Sequence, residues 1–511
     1  MKTLTSLKPI LFTFLIFCTS LAQAQLKKVK TAYGSVTGII KDHVSIFKGV
    51  PFAAPPVGEL RWKAPQPPKK WNGLLNCDTF SASPVQNNPV PFMMWTQEFI
   101  APAKPLSEDC LYLNIWTPAA SNKAKLPVIV WIYGGGFVSG SAACPIYDGE
   151  ELSKKGVIFI SINYRVGIFG FLAHPELSKE SGHGSGNYAL LDQIEALKWI
   201  RQNIGEFGGD PENVTIAGQS AGSMSVNALI ASPLAKGLFQ KAIAQSGGIL
   251  GGRISRQLSE AEKTGEAVSK QLSANSIAEL RSKSAEEIQK AASAPGLRFG
   301  PVLDDYVLPL DPVKYFQQKK QNNVAIMTGW VTGDGALAGI QPSTPEKFRQ
   351  EAVAKYGDQS NTFLTLFKAD NDEELKATQS KLGLISFGVL PSRLLSDYNE
   401  KPVYIYQFNH VPPDKPNFPN YGAFHTAEVP YALKTLKMWD RAWKTEDLNL
   451  ENAMSDYWVN FARTGNPNGK GLPEWQPYNK TTGVIMEFTD SPKAVPGLLK
   501  KELDFLVGQV K

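Results

Sequence analysis

The stretch NVTIAGQSAGSM, residues 213–224, carries the reading that decides the fold. Asn213 to Ala217 reads as a strand, its Val214–Ala217 run apolar and β-branched as a buried strand should be. From Ser220 onward the residues are small and helix-compatible. A tight turn between the two lifts the Ser220 hydroxyl above the end of the strand. Such a turn strains the backbone and brings neighbouring chain close, so only glycine fits two residues before and two after the serine. Gly218 and Gly222 stand at those places. The following helix aims its N-terminal dipole at the same point. A Gly-x-Ser-x-Gly run arises by chance roughly once in six chains of this length. It is the strand before and the helix after that give it meaning.

A second glycine cluster follows another apolar strand: Trp131-Ile132-Tyr133-Gly134-Gly135-Gly136-Phe137. Consecutive glycines leave backbone N–H groups unshielded. Acyl transfer needs such donors at the developing oxyanion, each worth ~3 kcal/mol of barrier. Gly135 and Gly136, with the N–H of Ala221 just after the serine, make a candidate three-donor hole. An ordinary strand-to-helix turn and a plain flexible loop are the bland readings of these two motifs. Their joint presence favours chemistry.

Outward from these motifs, apolar runs recur at Val128–Tyr133, Val157–Asn163, Val214–Ala217, Lys241–Gln245, Val324–Thr328 and Val403–Phe408. Helix-like stretches separate several of them. The clearest is Tyr188 to Ile204, where Leu190, Leu191, Ile194, Leu197 and Ile204 recur at three- and four-residue steps. This alternation predicts an α/β fold with a large, mostly parallel central sheet covered by helices on both faces. Val29 to Phe47 alternates over short distances and predicts antiparallel strands at one sheet edge. Ser259 to Ala294 is polar and helix-prone, an excursion over the sheet.

The chain has 511 residues, 43% hydrophobic, with a net charge of +6. Its densest basic run, Lys27-Lys28-Val29-Lys30, reads as a solvated face, so neither a nucleic-acid nor a membrane-surface partner is expected. Residues 1–24 read as a secretory signal: Lys2 and Lys8, an apolar Ile10–Phe17, then Ala22-Gln23-Ala24. A lipid-modified Cys18 fits poorly after bulky Phe17. No later run reaches 18 uninterrupted apolar residues, so an exported protein without a membrane span is expected, periplasmic or secreted. Cys77, Cys110 and Cys144 then remain. Spacing leaves their pairings open, and no His or second Cys stands at metal-ligand spacing. No cofactor is expected. Asn213-Val214-Thr215 has the form of a glycan acceptor but falls inside a core strand.

The extended motif Phe207 to Gly222 resembles the nucleophile pattern of the type-B carboxylesterases, which include cholinesterases and bacterial para-nitrobenzyl esterases. Glu108-Asp109-Cys110-Leu111-Tyr112-Leu113-Asn114 resembles a second pattern of that family. Phe47 to Ala53, Asn163 to Gly167 and Trp458 to Asn468 also fit, and the resemblance runs over about residues 29–508. It implies a single α/β-hydrolase domain over residues 25–511 with a deep gorge, acting on a small-molecule ester. It also implies a Cys77–Cys110 disulfide, and ion pairs Arg61–Glu108 and Arg165–Asp192. The loop between the two cysteines carries Phe92, Met93, Met94 and Trp95. In the family this loop borders the gorge, which makes Phe92, Met94 and Trp95 candidate substrate contacts against the alternative of core packing.

Ser-His-acid chemistry on this fold runs in chain order Ser, Asp/Glu, His. Of five histidines, His43, His174 and His183 precede the serine. His410 and His425 both satisfy the order. Gly422-Ala423-Phe424-His425-Thr426-Ala427-Glu428 resembles the family's histidine motif and selects His425, leaving Glu428 as a supporting or surface carboxylate. The acid should follow a strand, and Gly329-Trp330-Val331-Thr332-Gly333-Asp334-Gly335 follows Val324–Thr328. The family usually has Glu here, after an Asp. This chain has Asp334 after Gly333, one methylene shorter, so loop or imidazole must shift to keep the bond. Asp304 and Asp305 are the fallback. Gln219 stands where the family often has Glu, and is a further gorge candidate. The resemblance therefore implies a serine esterase working through an acyl-serine, with Ser220, Asp334 and His425 catalytic. An amidase or thioesterase on the same machinery is the alternative, and a non-catalytic binding protein the remoter one.

Overall fold

Eleven strands join in one sheet. They are β1 (Ile39–Lys41), β2 (Val44–Pro51), β3 (Tyr112–Thr117), β4 (Leu126–Ile132), β5 (Ile158–Ile162), β6 (Gly209–Gln219), β7 (Lys241–Gln245), β8 (Ala325–Val331), β9 (Val403–Phe408), β10 (Val484–Phe488) and β11 (Lys493–Pro496). The computed structural model describes residues 25–251, 256–338, 343–497 and 499–510. The signal expected over residues 1–24, and Cys18 within it, lie outside the described residues.

Across the sheet the order is β1-β2-β3-β5-β4-β6-β7-β8-β9-β10-β11. From β5 to β10 every neighbouring pair is parallel. Both edges are antiparallel: β1, β2, β3 and β5 on one side, β10 with β11 on the other. Successive strand residues point to opposite faces, yet β5, β7 and β9 are buried at every position. Both faces must therefore be covered, which is why these runs are continuously apolar and not alternating. Helices α1 (Tyr188–Asn203), α2 (Ala221–Ala231) and one at Thr445–Thr464 pack on the central strands.

The N-terminal expectation holds in part. β1 and β2 form the antiparallel edge, but Lys28–Lys30 and Ser35–Thr37 leave it to form a small separate sheet with Leu74–Asn76. Ser259 to Ala294 folds as three helices, Leu258–Gln271, Ile277–Ser282 and Ala285–Ala292. Ser276 and Ser284 cap the last two, Ser284 with Glu287 in a reciprocal capping box.

The expected Cys77–Cys110 bridge is not formed: Cys77, Cys110 and Cys144 are buried free thiols. Cys77 is fixed by backbone bonds to Thr37 and Lys48, whereas Cys110 lies beside the Arg165 and Asp192 charges. Burial pushes the Cys77 thiol up to about 12 and that of Cys110 well above its ordinary value. The thiolate that begins disulfide exchange is thereby suppressed.

Both expected ion pairs are present. Arg61 clasps Glu108 with two nitrogens and donates its third to the carbonyls of Arg281 and Lys283. Arg165 donates to Asp192 from Nε at 2.8 Å, from Nη2 at 2.6 Å and from its own backbone N–H at 3.0 Å. This second pair is wholly buried. It fixes the segment after β5, where Gly167 N–H donates to Phe137 O at the end of the glycine loop. Arg165→Ala strands the Asp192 charge and is expected to lower the unfolding free energy by about 3–5 kcal/mol. Urea unfolding at pH 7 measures this. An Arg165→Met, Asp192→Leu double variant should recover most of the loss, because no uncompensated charge remains.

Candidate active site

β4 and β6 are neighbours in register, with Gly218 opposite Ile132. Their C-terminal ends therefore deliver the serine turn and the glycine loop side by side. Ser220 has φ 58° and ψ −122°, a strained conformation between β6 and α2. Ser220 N–H donates to Gln245 O, and Met224 N–H to Ser220 O, each at 2.9 Å. The crowding expected from the sequence is real. A Cβ on Gly222 would stand 2.0 Å from Ile132 O, and one on Gly218 would stand 2.6 Å from Gly222. Both places exclude any side chain.

In the neighbouring loop Gly135 and Gly136 have φ of 106° and 63°, open to glycine and costly for other residues. A Cβ at Gly135 would also strike Ser139 O at 2.2 Å. Among the described residues, the N–H groups of Gly135, Gly136 and Ala221 have no hydrogen-bond partner. All three residues line the same cavity as Ser220.

His425 is brought to that cavity by the loop after β9. Its Nδ1 lies 2.6 Å from Asp334 Oδ1, and both side chains are buried. Asp334 sits in the turn after β8, where Oδ2 also accepts Val331 N–H at 3.2 Å. Here the departure from the family pattern finds its physical reason. Gly333 N–H donates to Ala423 O at 2.9 Å, and a Cβ on Gly333 would lie 2.4 Å from that oxygen. The absent side chain lets the 423–425 segment close in, and the shorter Asp then spans the gap.

The Asp334 contact makes Nδ1 a donor, leaving Nε2 as acceptor. The Gln219 amide nitrogen lies 3.1 Å from Nε2. Among the described residues no hydrogen bond joins the Ser220 hydroxyl to the ring, although both face the cavity.

The rival candidates are elsewhere engaged. His410 is held at both nitrogens by carboxylates, Nε2 at 2.6 Å from Asp447 and Nδ1 at 2.8 Å from Asp490. Neither nitrogen is left for a serine. Asp304 accepts three consecutive backbone N–H groups, from Tyr306, Val307 and Leu308, and closes a turn with Asn187. Asp305 is exposed. The Asn213 amide is tied to Lys241 and to Arg463 O.

Glu428 is neither at the surface nor on the ring. It is fully buried, with Oε1 3.4 Å from the Gln245 amide and Oε2 without a partner among the described residues. Burial, then the nearby Asp334 charge, push its carboxyl up from 4.5 to about 8. In the unfolded chain it ionises near 4.5. Between these values the native state holds the extra proton, so Glu428 makes unfolding easier as pH rises. Glu428→Gln should remove that dependence. The variant gains on wild type by a few kcal/mol between pH 5 and pH 8, read from urea midpoints.

The cavity above these groups encloses about 820 Å³. Of the loop candidates, Phe92 and Trp95 line it. Met94 does not: it is buried in the core, because the turn at Met93 sends it inward while the aromatic rings face out. Phe92 and Trp95 pair through their backbones and their rings, 4.7 Å apart. Trp95 Nε1 donates to Thr426 Oγ1 at 3.0 Å, tying this loop to the histidine segment. Gln219 also lines the cavity. Sequence reasoning missed Phe99, Phe299 and Phe387. Phe387 packs edge-on to His425 from a π-helical turn, Ile385–Val389, which nothing in the sequence announces. It also missed Gln289 and Ser293, through which the polar excursion reaches the cavity.

The model of the "Carboxylesterase family" matches residues 25–506. This chain belongs to that family. The fumonisin B1 esterase of Sphingopyxis macrogoltabida is 36% identical over 517 residues, covering 96% of this chain and 92% of that protein. The para-nitrobenzyl esterase of Bacillus subtilis is 35% identical, covering 89% and 93%. A solved para-nitrobenzyl esterase superposes with a TM-score of 0.81 at 32% identity, covering 95% of this chain and 99% of the other. The protein is thus a carboxylesterase of α/β-hydrolase fold, a carboxylic ester hydrolase. No helix among the described residues of this carboxylesterase is long and apolar enough to cross a membrane.

Proposed function

We propose that this carboxylesterase cleaves small-molecule esters through an acyl-serine on Ser220. The His425–Asp334 contact carries this reading, since it leaves Nε2 free of a proton and turned to the cavity that Ser220 shares. Substrate displaces the Gln219 amide from Nε2, and the Ser220 hydroxyl takes its place. His425 removes the hydroxyl proton as Oγ attacks the ester carbonyl. The N–H groups of Gly135, Gly136 and Ala221 receive the oxyanion. Collapse expels the alcohol, which leaves with the proton from His425. Water then repeats the sequence on the acyl-serine and releases the acid. Asp334 holds the tautomer and steadies the imidazolium. Phe92 and Trp95 form part of the substrate wall. Residues 25–511 act as one domain, exported by the 1–24 leader.

A fluorophosphonate probe tests the reading directly. It should label the native protein once, on Ser220, and abolish esterase activity in proportion. Labelling elsewhere, or full activity after labelling of Ser220, would overturn it. A cavity of 820 Å³ is near the upper end of small-molecule sites. Across para-nitrophenyl esters, kcat/KM should rise from acetate to hexanoate by roughly tenfold or more, as each buried CH₂ adds apolar contact.

A further inference from the structure

The turn that carries His425 holds a residue which its own geometry disfavours. Phe424 O accepts Ala427 N–H at 2.9 Å, so His425 and Thr426 are the two central residues of a four-residue turn. Thr426 has φ 88°, whereas φ at His425 is not positive. Positive φ at the third place but not the second is the type II pattern, which calls for glycine or asparagine. A β-branched side chain there is strained against its own backbone. Thr426 is buried, and its hydroxyl has one hydrogen-bond partner among the described residues. Trp95 Nε1, 331 positions away in the chain, donates to Oγ1 at 3.0 Å.

Few other contacts fix this turn. Thr426 O accepts Val429 N–H at 3.1 Å, and the His425 ring reaches Asp334 and Gln219. The Trp95 ring stands edge-on to the His425 ring, at 88° and 6.4 Å between centroids. Trp95 therefore meets both central residues, one through its ring and one through its N–H. A strained backbone persists only where its surroundings over-determine it. Here the strained residue's own side chain makes the restraining bond.

We infer that Thr426 is a positioning residue: its hydroxyl, held by Trp95, keeps the turn in its strained form and the His425 ring in place. The inference rests on the reading of Ser220 and His425 given above, and adds what holds the base there. Without the bond, a β-branched residue relaxes toward negative φ. The peptide between residues 425 and 426 then rotates, and the imidazole moves away from Ser220. A misplacement of about 1 Å in a reacting group costs on the order of 10²-fold in rate.

The test reads kcat on para-nitrophenyl acetate, whose short acyl group makes little use of the Trp95 wall. Thr426→Val keeps the branched shape and the strain but loses the acceptor, and should lower kcat by roughly tenfold or more. Thr426→Ser keeps the acceptor and should recover most of that loss. Thr426→Gly should recover it too, for the opposite reason: glycine is at ease at this φ and needs no restraint. Trp95→Phe removes the donor. It should lower kcat by roughly fivefold or more beside Thr426, but by less than about twofold in the Thr426→Gly background. A purely structural role for Trp95 would cost the same in both backgrounds, and that result overturns the inference. So does a Thr426→Val variant within about threefold of wild type. Should Thr426→Val not fold, the Trp95→Phe comparison decides alone. None of these results alters fluorophosphonate labelling of Ser220 in the wild-type protein, so failure here is distinguishable from failure of the esterase reading.

Discussion

Ser220→Ala is expected to lower kcat by on the order of 10⁴-fold or more while leaving the fold intact. The elbow does not depend on the hydroxyl. It is held by Ser220 N–H to Gln245 O, by Met224 N–H to Ser220 O, and by glycines pressed against Ile132. Alanine keeps the Cβ and both backbone bonds, so unfolding free energy should change by no more than about 1 kcal/mol. The chemistry loses its nucleophile. Residual turnover comes from unaided water in a cavity that still offers oxyanion donors. Purified variant and wild type are compared on para-nitrophenyl butyrate, with urea midpoints alongside. Near-wild-type turnover would place the nucleophile elsewhere. Collapse of both stability and turnover would mean that the hydroxyl serves the fold.

Asp334→Asn should be nearly as severe, on the order of 10⁴-fold, and the geometry says why. Asp334 Oδ2 accepts Val331 N–H while Oδ1 faces His425 Nδ1. An asparagine must turn its one carbonyl oxygen to Val331, because its amide NH₂ cannot accept that N–H. The NH₂ then points at Nδ1 and donates to it. The ring proton moves to Nε2, where it blocks proton acceptance from Ser220. Size and packing are unchanged, so the loss is one of tautomer. Asp305→Asn, on an exposed residue, should stay within about threefold of wild type. A mild effect at 334 with a severe one at 305 would move the acid.

These expectations differ in how legible they were. The strand, the turn and the helix around Ser220 were readable because each is specified by residues within a few positions. An apolar run predicts β6, and the paired glycines predict a crowded turn. The glycine loop after β4 was readable on the same ground. The parallel sheet followed from runs buried on both faces, and β7 and β9 carry the expected bounds. The N-terminal edge was only half right, since an alternating pattern says that a strand has two faces and not which sheet will receive it. Met94 was assigned with Trp95 because a loop's side chains have no fixed period. The positive φ at Met93 decides which of them faces the cavity.

Chain order and local pattern by themselves determined an α/β fold with an elbow serine, a donor loop and a histidine downstream of both. They left His410 and His425 equal, and only family likeness separated them. Tertiary structure decided the rest, because it alone brings residues 91 and 206 positions apart onto one ring. It showed two carboxylates occupying His410, a missing side chain at Gly333 making room for a short acid, and aromatic rings from remote segments meeting in one cavity wall. Those outcomes depend on distances between segments remote in the chain, and no short stretch of sequence encodes such distances.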